Sequence, residues 1–307
     1  MTVAPTTDSA SDIPGGVDNR ADRHPLRLPF RAPFAADTLL SFLRTRAVPG
    51  IEDVRDDAYV RSVRHTAGVS VVAMTPRPGH VDLRVCADPS LEIGKFSERA
   101  RRAFDLDANP ATIDAYLSQD PELAPLVARL PGIRVPGTFD GFELVVRAIF
   151  GQQVSVTGAR TSVGRLVESS GTPLERPTGG ITHLFPTAER LAELPHEAFG
   201  MPRARAETIR RVADLVARGD LDLSGDTEPQ EALQTLGELP EIGPWTLAYV
   251  AMRALRDRDA FMVGDLGVRK GFEALGLPST PKECFARAER WRPWRAYAVM
   301  HLWHAHV

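Results

Sequence analysis

The feature that most limits what this chain can become is a change of apolar periodicity near residue 108. Before it, AYVRSVRH, VSVVAMTP and HVDLRVCA alternate or cluster β-branched residues between Gly and Pro signals, which predicts three short strands. After it, FELVVRAIF, VTGARTSVGRLVESS, RARAETIRRVADLVARG, PQEALQTLGEL, PWTLAYVAMRAL and RPWRAYAVMHLW all repeat apolar residues three and four apart. Two helical runs frame the strands: AADTLLSFLRTRA, opened at Asp37–Thr38, and SLEIGKFSERARRAFD, opened at Ser90. The expected architecture is an α+β N-terminal domain over residues 27–112, an antiparallel sheet with helices, followed by a mainly α-helical region over 113–307. The Pro/Gly-rich stretch from Gly171 to Phe185 is expected to be a loop. Residues 1–26, rich in Asp, Ser, Pro and Gly, are expected to be a disordered tail with no signal-peptide core.

Composition narrows the class. With 43 % hydrophobic and 25 % charged residues the chain reads as globular, and no apolar run reaches the length of a membrane span. Two cysteines, Cys86 and Cys284, are too few for a four-thiolate metal or iron–sulfur centre. A cytoplasmic protein is expected. The net charge of −3 argues against a broadly basic nucleic-acid binder, although a local patch can do that work. RAERWRPWR, Arg287 to Arg295, is a candidate patch; the same residues also suit a solvated helix face.

Chemistry concentrates late in the chain. In LPEIGPWT, Leu239 to Thr246, Pro240 presets a tight turn and Glu241 falls where positive φ is often required. Gly243 permits close approach, and Pro244 suits the first turn of a new helix. Such a helix start offers free amides to a phosphate, and an ordinary corner uses the same residues. Asp265, between Gly264 and Gly267 in FMVGDLGVRKG, can cap a helix, face a cleft, or do both. Tyr249 follows Trp245 by one helical turn, so the two share a face. His301, His304 and His306 invite a metal reading, but no nearby Cys or carboxylate completes a ligand set. Lys270, in RKG, reads as exposed helix surface.

LPEIGPWTLAYVAMRAL, DRDAFMVGDLGVRK and ERWRPWRAYAVMHLW together resemble the helix–hairpin–helix glycosylases that remove damaged bases from DNA, and most of all their DNA-3-methyladenine glycosylase II (AlkA) branch. The likeness continues upstream through MPRARAETIRRVADL and FELVVRAIFGQQVSV to FRAPFAADTLLSFLRTRAVPGIEDV. The resemblance implies excision of alkylated bases, 3-methyladenine and also 7-methylguanine, in base excision repair. It makes Asp265 the catalytic carboxylate. It puts Trp245 where strand-cutting relatives carry a Schiff-base lysine, so the expected enzyme is monofunctional and leaves an abasic site. Trp245, Tyr249 and Trp303 match the base pocket, with Phe42 and Val156 as further walls. Ile242, Gly243, Pro244 and Thr246 match the phosphate grip, and Gln153 the wedge that fills the gap in the duplex.

The implied partner is damaged double-stranded DNA, with no membrane and no obligate protein partner, for a monomer working in the cytoplasm at the nucleoid. No cofactor is implied beyond a structural monovalent cation that the carbonyls of Gly237, Leu239 and Ile242 can hold. Three departures from the family pattern stand out. Glu241 replaces the usual hairpin glycine; Gln153 replaces an often apolar wedge; Leu266 and Gly267 replace bulkier pocket residues, which widens the expected substrate range. Two other readings fit parts of the pattern: a noncatalytic hairpin module that only binds DNA, and a glycosylase for oxidised or mismatched bases, many of which carry the lysine or a four-cysteine cluster.

Overall fold

A computed structural model describes residues 25–65, 68–86, 93–225 and 229–305. The first part comprises β1 (Leu26–Pro29), α1 (Ala36–Arg46), β2 (Glu52–Arg55), β3 (Ala58–His65), β4 (Gly68–Arg77), β5 (His80–Cys86) and α2 (Ile93–Ala103). The five strands form one antiparallel sheet in the order β1-β5-β4-β3-β2. Alternation sends Tyr59, Val63, Val72, Met74, Val81 and Leu83 into a core closed by Leu39, Leu40 and Leu43 of α1. The four-residue strands β1 and β2 are too short to show a period in the sequence. Asp37 does not cap α1: the cap is Ala35, with no side-chain bond, and Asp37 lies in the first turn. The expected tail and the Ser90 cap fall almost wholly outside the described residues, although Leu26 already pairs with Leu83.

The rest is helical with one exception. α3 (Pro110–Leu117), α4 (Ala124–Arg129), α5 (Gly141–Phe150) and α6 (Val156–Ser170) lead into β6 (Thr172–Thr178) and β7 (Ile181–Leu184). α7 (Ala188–Glu193), α8 (Arg203–Arg218), α9 (Pro229–Gly237), α10 (Pro244–Arg253), α11 (Leu266–Ala274), α12 (Pro281–Ala288) and α13 (Arg295–Trp303) follow. The stretch expected to be a loop is therefore a β-hairpin. Gly179 and Gly180, at φ +53° and +89°, supply the left-handed turn, and Ile181 is buried against Ala58, Val60 and Ala73 of the large sheet. Pro173 and Pro177 hide the strand in the sequence, and an exposed edge tolerates them.

Two cores organise the molecule. Phe142, Val145, Ile149, Val163, Ile209 and Val250 centre one, among the middle helices. The other runs from the sheet into Met252, Met262, Phe272, Trp291, Tyr297 and Val299, so the C-terminal helices pack back on the N-terminal domain.

A buried ionic network crosses from sheet to α5. Arg147 donates to Glu52 at 2.7 Å and Glu143 at 2.8 Å; Arg61 donates to Glu143 at 2.7 Å and Glu52 at 3.2 Å; Tyr59 donates to Glu52 at 3.0 Å. Burial alone would raise the Glu52 carboxyl, but the Arg147 and Arg61 guanidiniums outweigh it and hold it below the usual range. Arg147 also donates to the Arg46 carbonyl at 2.8 Å, fixing the end of α1.

His301 is fully buried on α13 with neither ring nitrogen bonded among the described residues. Burial, with His304 and Arg129 nearby, pushes its pKa down to about 3. Its folded pKa lies below its unfolded value, so its contribution is intact above about pH 6.5 and lost as pH falls towards 3, by roughly 1 kcal/mol per pH unit. His301→Leu is expected to stabilise the chain at pH 5 by more than at pH 7.5 and to flatten the acid-side slope. Urea midpoints at the two pH values measure this; an unchanged slope would mean the imidazole titrates normally.

Candidate active site

The corner predicted from LPEIGPWT joins α9 to α10. Glu241 is left-handed at φ +63°, as its place in the turn required, and its side chain is exposed. Pro244 opens α10 behind Gly243, which caps it without a side chain. The Leu247 amide closes the first turn on the Gly243 carbonyl at 3.1 Å. The amides of Gly243, Trp245 and Thr246 have no intramolecular acceptor among the described residues and stand at the positive end of the helix. Thr208 pins the turn by donating to the Pro240 carbonyl at 2.9 Å.

Gln152, which the sequence did not single out, ties this corner to the loop after α5. Its amide donates to the Glu241 carbonyl at 2.7 Å and to the buried Thr246 hydroxyl at 3.2 Å, while Arg205 holds its carbonyl at 2.8 Å. The next residue, Gln153, is exposed at φ +60°, flanked by exposed Val154 and Val156. Of the adjacent glutamines, one is structural and one projects. Val156 starts α6, 45 % exposed, and belongs to neither core. Three residues after Gln153 in sequence, it is outside the ring cluster.

Asp265 caps α11, its Oδ1 accepting from the Val268 amide at 2.8 Å. It also accepts from two indoles: Trp303 Nε1 to Oδ1 at 2.9 Å and Trp245 Nε1 to Oδ2 at 2.8 Å. Asp265 thus caps its helix and is also partly exposed among aromatic rings. The rings form two near-parallel pairs, Trp245 on Tyr249 with centroids 5.2 Å apart and Phe42 on Trp303 at 5.9 Å. The structure thus gathers Asp265, Trp245, Tyr249, Trp303 and Phe42 from α1, α10, α11 and α13.

Gly267 makes that convergence possible. A Cβ there would lie 2.7 Å from Trp303 Cδ1 and 2.9 Å from its Nε1; one at Gly271, a turn later, would lie 2.5 Å from the Leu302 carbonyl oxygen. The two glycines let α13 close on α11 until the indole reaches the carboxylate. The space expected at Gly267 is therefore filled by Trp303, whereas Leu266 is 63 % exposed on the open side.

Other candidates separate from this cluster. Lys270 is exposed. No group of three His, Cys, Asp or Glu among the described residues could hold a metal; His306 lies outside them. The RAERWRPWR arginines are largely engaged by acids: Arg287 by Asp120 and Glu122, Arg292 by Glu289 and Asp259, Arg295 by Asp259 and Glu289, and Trp291 is buried. That stretch is an ion-paired structural seam, not an open phosphate patch. No helix among the described residues is long and apolar enough to cross a membrane.

Comparison with known proteins places the chain in a family. Residues 146–296 match the HhH-GPD superfamily of base excision DNA repair proteins, and residues 25–140 match the AlkA N-terminal domain. The chain is 34 % identical over 271 residues to DNA-3-methyladenine glycosylase 2 of Escherichia coli (strain K12), covering 87 % of this chain and 92 % of that protein. It therefore belongs to the AlkA family of helix–hairpin–helix DNA glycosylases. It is 43 % identical over 278 residues to a probable bifunctional transcriptional activator/DNA repair enzyme AlkA of Mycobacterium tuberculosis (strain CDC 1551 / Oshkosh), covering 91 % of this chain but 56 % of that longer protein. In fold it is similar to a 3-methyladenine DNA-glycosylase from Archaeoglobus fulgidus, with a TM-score of 0.79 at 21 % identity over 91 % of this chain and 97 % of that one.

Proposed function

We propose that this chain is a monofunctional DNA glycosylase that swings an alkylated nucleotide out of the duplex and hydrolyses its glycosidic bond, leaving an abasic site. The observation that carries the reading is the Asp265 carboxylate held by the indole N–H groups of Trp245 and Trp303, two rings from different helices. 3-Methyladenine is the leading substrate and 7-methylguanine a further one. A base alkylated on a ring nitrogen is cationic, and aromatic faces attract a desolvated cation by about 2 kcal/mol. Such a base also leaves readily, so one carboxylate suffices: Asp265 stabilises the positive sugar as the bond opens and steers water to C1′. No amine stands at Trp245 to attack the sugar instead.

Around this centre, the free amides of the α9–α10 corner seat a backbone phosphate, and Gln153 fills the gap left by the extruded base. The carbonyls of Gly237, Leu239 and Ile242 suit a monovalent cation that would brace the same turn; those of Gly237 and Ile242 accept no hydrogen bond from loop backbone among the described residues. The partner is damaged double-stranded DNA, met by a monomer in the cytoplasm at the nucleoid.

The test is incubation with alkylated duplex DNA, chromatography of the released bases and a check of strand integrity. Free 3-methyladenine with intact strands is the expected result. Release with β-elimination contradicts the role given to Trp245, and binding without release leaves only a noncatalytic module.

A further inference from the structure

Two guanidiniums lie against the Phe42 ring: the Arg46 Cζ at 3.8 Å from the ring centroid and the Arg253 Cζ at 4.9 Å. Arg253 is buried; it donates to the carbonyls of Pro136 and Gly137 at 2.7 and 3.0 Å and to the Tyr249 hydroxyl at 2.5 Å. Arg46 is only half-buried, reaches the Phe42 carbonyl and the Thr45 hydroxyl, and also lies 6.0 Å from the Trp303 ring. Among the described residues neither arginine meets a carboxylate. Glu52, which lines the same cavity as Arg46 and Arg253, is taken with Glu143 by Arg61 and Arg147. Two positive charges without a counter-ion therefore stand under one wall of the site. Burial alone would raise the Tyr249 phenol, but Arg253 and Arg46 outweigh it and draw it below its ordinary value, a sign of how positive this wall is.

The consequence for recognition is specific. Phe42 already carries two cations, so it has little attraction left for a cationic base. A neutral base with a carbonyl, by contrast, offers Arg46 a further acceptor beyond the Phe42 carbonyl at 3.4 Å and the Thr45 hydroxyl at 3.0 Å. We propose that Arg46 is a specificity-determining residue, which grips a carbonyl oxygen of an extruded neutral base and shifts the enzyme's preference from cationic N-alkylpurines towards neutral lesions. When a neutral base departs, the electron pair of the C1′–N bond leaves with it and is delocalised onto that oxygen. Arg46 stabilises this charge, water adds to C1′, and the proton that water releases ends on the base. A cationic base needs no such help, because its own charge takes up the pair.

The inference rests on the glycosylase reading, and its test compares two lesions in one enzyme. Single-turnover release is measured from duplexes carrying 3-methyladenine, which is cationic and lacks a carbonyl, or hypoxanthine, which is neutral and has one. Arg46→Gln and Arg46→Met are set beside the unaltered chain, with thermal midpoints recorded for each. The expected result is a fall of about 10-fold or more in hypoxanthine release, the loss of one charge-assisted hydrogen bond, with 3-methyladenine release unchanged or faster. Arg46→Lys, which keeps the charge and loses the planar fork, should restore part of the hypoxanthine rate. An unchanged ratio between the lesions overturns the proposal, as does an equal fall for both, which would mark Arg46 as structural or as a phosphate contact. If the unaltered chain releases neither base, it is the glycosylase reading itself that fails.

Discussion

Asp265→Asn is expected to slow release of 3-methyladenine by about 10³-fold or more while affinity for the alkylated duplex stays within a few-fold. Losing one preorganised electrostatic partner of a transition state typically costs 10²–10³ in rate, and here a full charge beside a forming cationic sugar is lost. The exchange also has a structural cost. An asparagine oxygen can still accept from the Val268 amide and the Trp303 indole, which share Oδ1. Its NH₂ would then face Trp245 Nε1, 2.8 Å from Oδ2, donor against donor. An orphaned indole N–H costs about 1–3 kcal/mol, a few degrees in melting temperature, so the variant should remain folded. Single-turnover release and equilibrium binding to the same duplex separate the two effects. Undiminished release would end the catalytic assignment, and loss of binding together with release would make Asp265 a scaffold residue.

The parts of this molecule that were readable in advance are those governed by local chemistry. Pro244 and Gly243 marked the start of α10, the turn demanded a left-handed Glu241, and alternation revealed β3, β4 and β5. The β6–β7 hairpin was hidden because its prolines mimic a loop, while the residues that bury Ile181 of β7, Ala58, Val60 and Ala73, lie more than a hundred residues earlier in the large sheet. The site was half legible. Trp245 and Tyr249 share a helix face by spacing alone, but Trp303 lies 38 residues beyond Asp265, and only the glycine seam between α11 and α13 brings them into contact. Arginine was the least legible residue type. The run Arg287 to Arg295 suited a phosphate patch or a solvated helix face alike, and only the fold shows Asp120, 167 residues from Arg287, and Asp259 pairing with Arg287 and Arg295. Nothing in the sequence singled out Arg46 and Arg253, which lie against Phe42. A charged side chain becomes legible only with its partner, and the partners here are remote.

Arg147 is one such charge, paired with the remote Glu52 as well as with Glu143. Arg147→Met is expected to cost about 3–5 kcal/mol, the usual penalty for removing one member of a buried ion pair, and to lower the melting temperature by about 10 °C. Met nearly fills the volume, so the cost is electrostatic: Glu52 and Glu143, 7 % and 1 % exposed, would share only Arg61. The pH dependence identifies the cause. In the unaltered chain the folded Glu52 carboxyl sits below its ordinary value, so its contribution is present above the unfolded pKa and lost as pH falls through the folded one. Without Arg147, burial governs and the carboxyl rises above the unfolded value. The variant then binds a proton on folding, so its deficit should be smaller at pH 5 than at pH 8. Adding Glu52→Gln should recover part of the loss at pH 8, because the orphaned charge is gone. Urea midpoints for both variants at both pH values test this; a deficit below about 1 kcal/mol, independent of pH, would mean water screens the network. Since Arg147 also holds the Arg46 carbonyl at 2.8 Å, loosening it should disturb the Phe42 ring as well, so damage at a domain junction would reach the aromatic cluster around Asp265 through a single backbone contact.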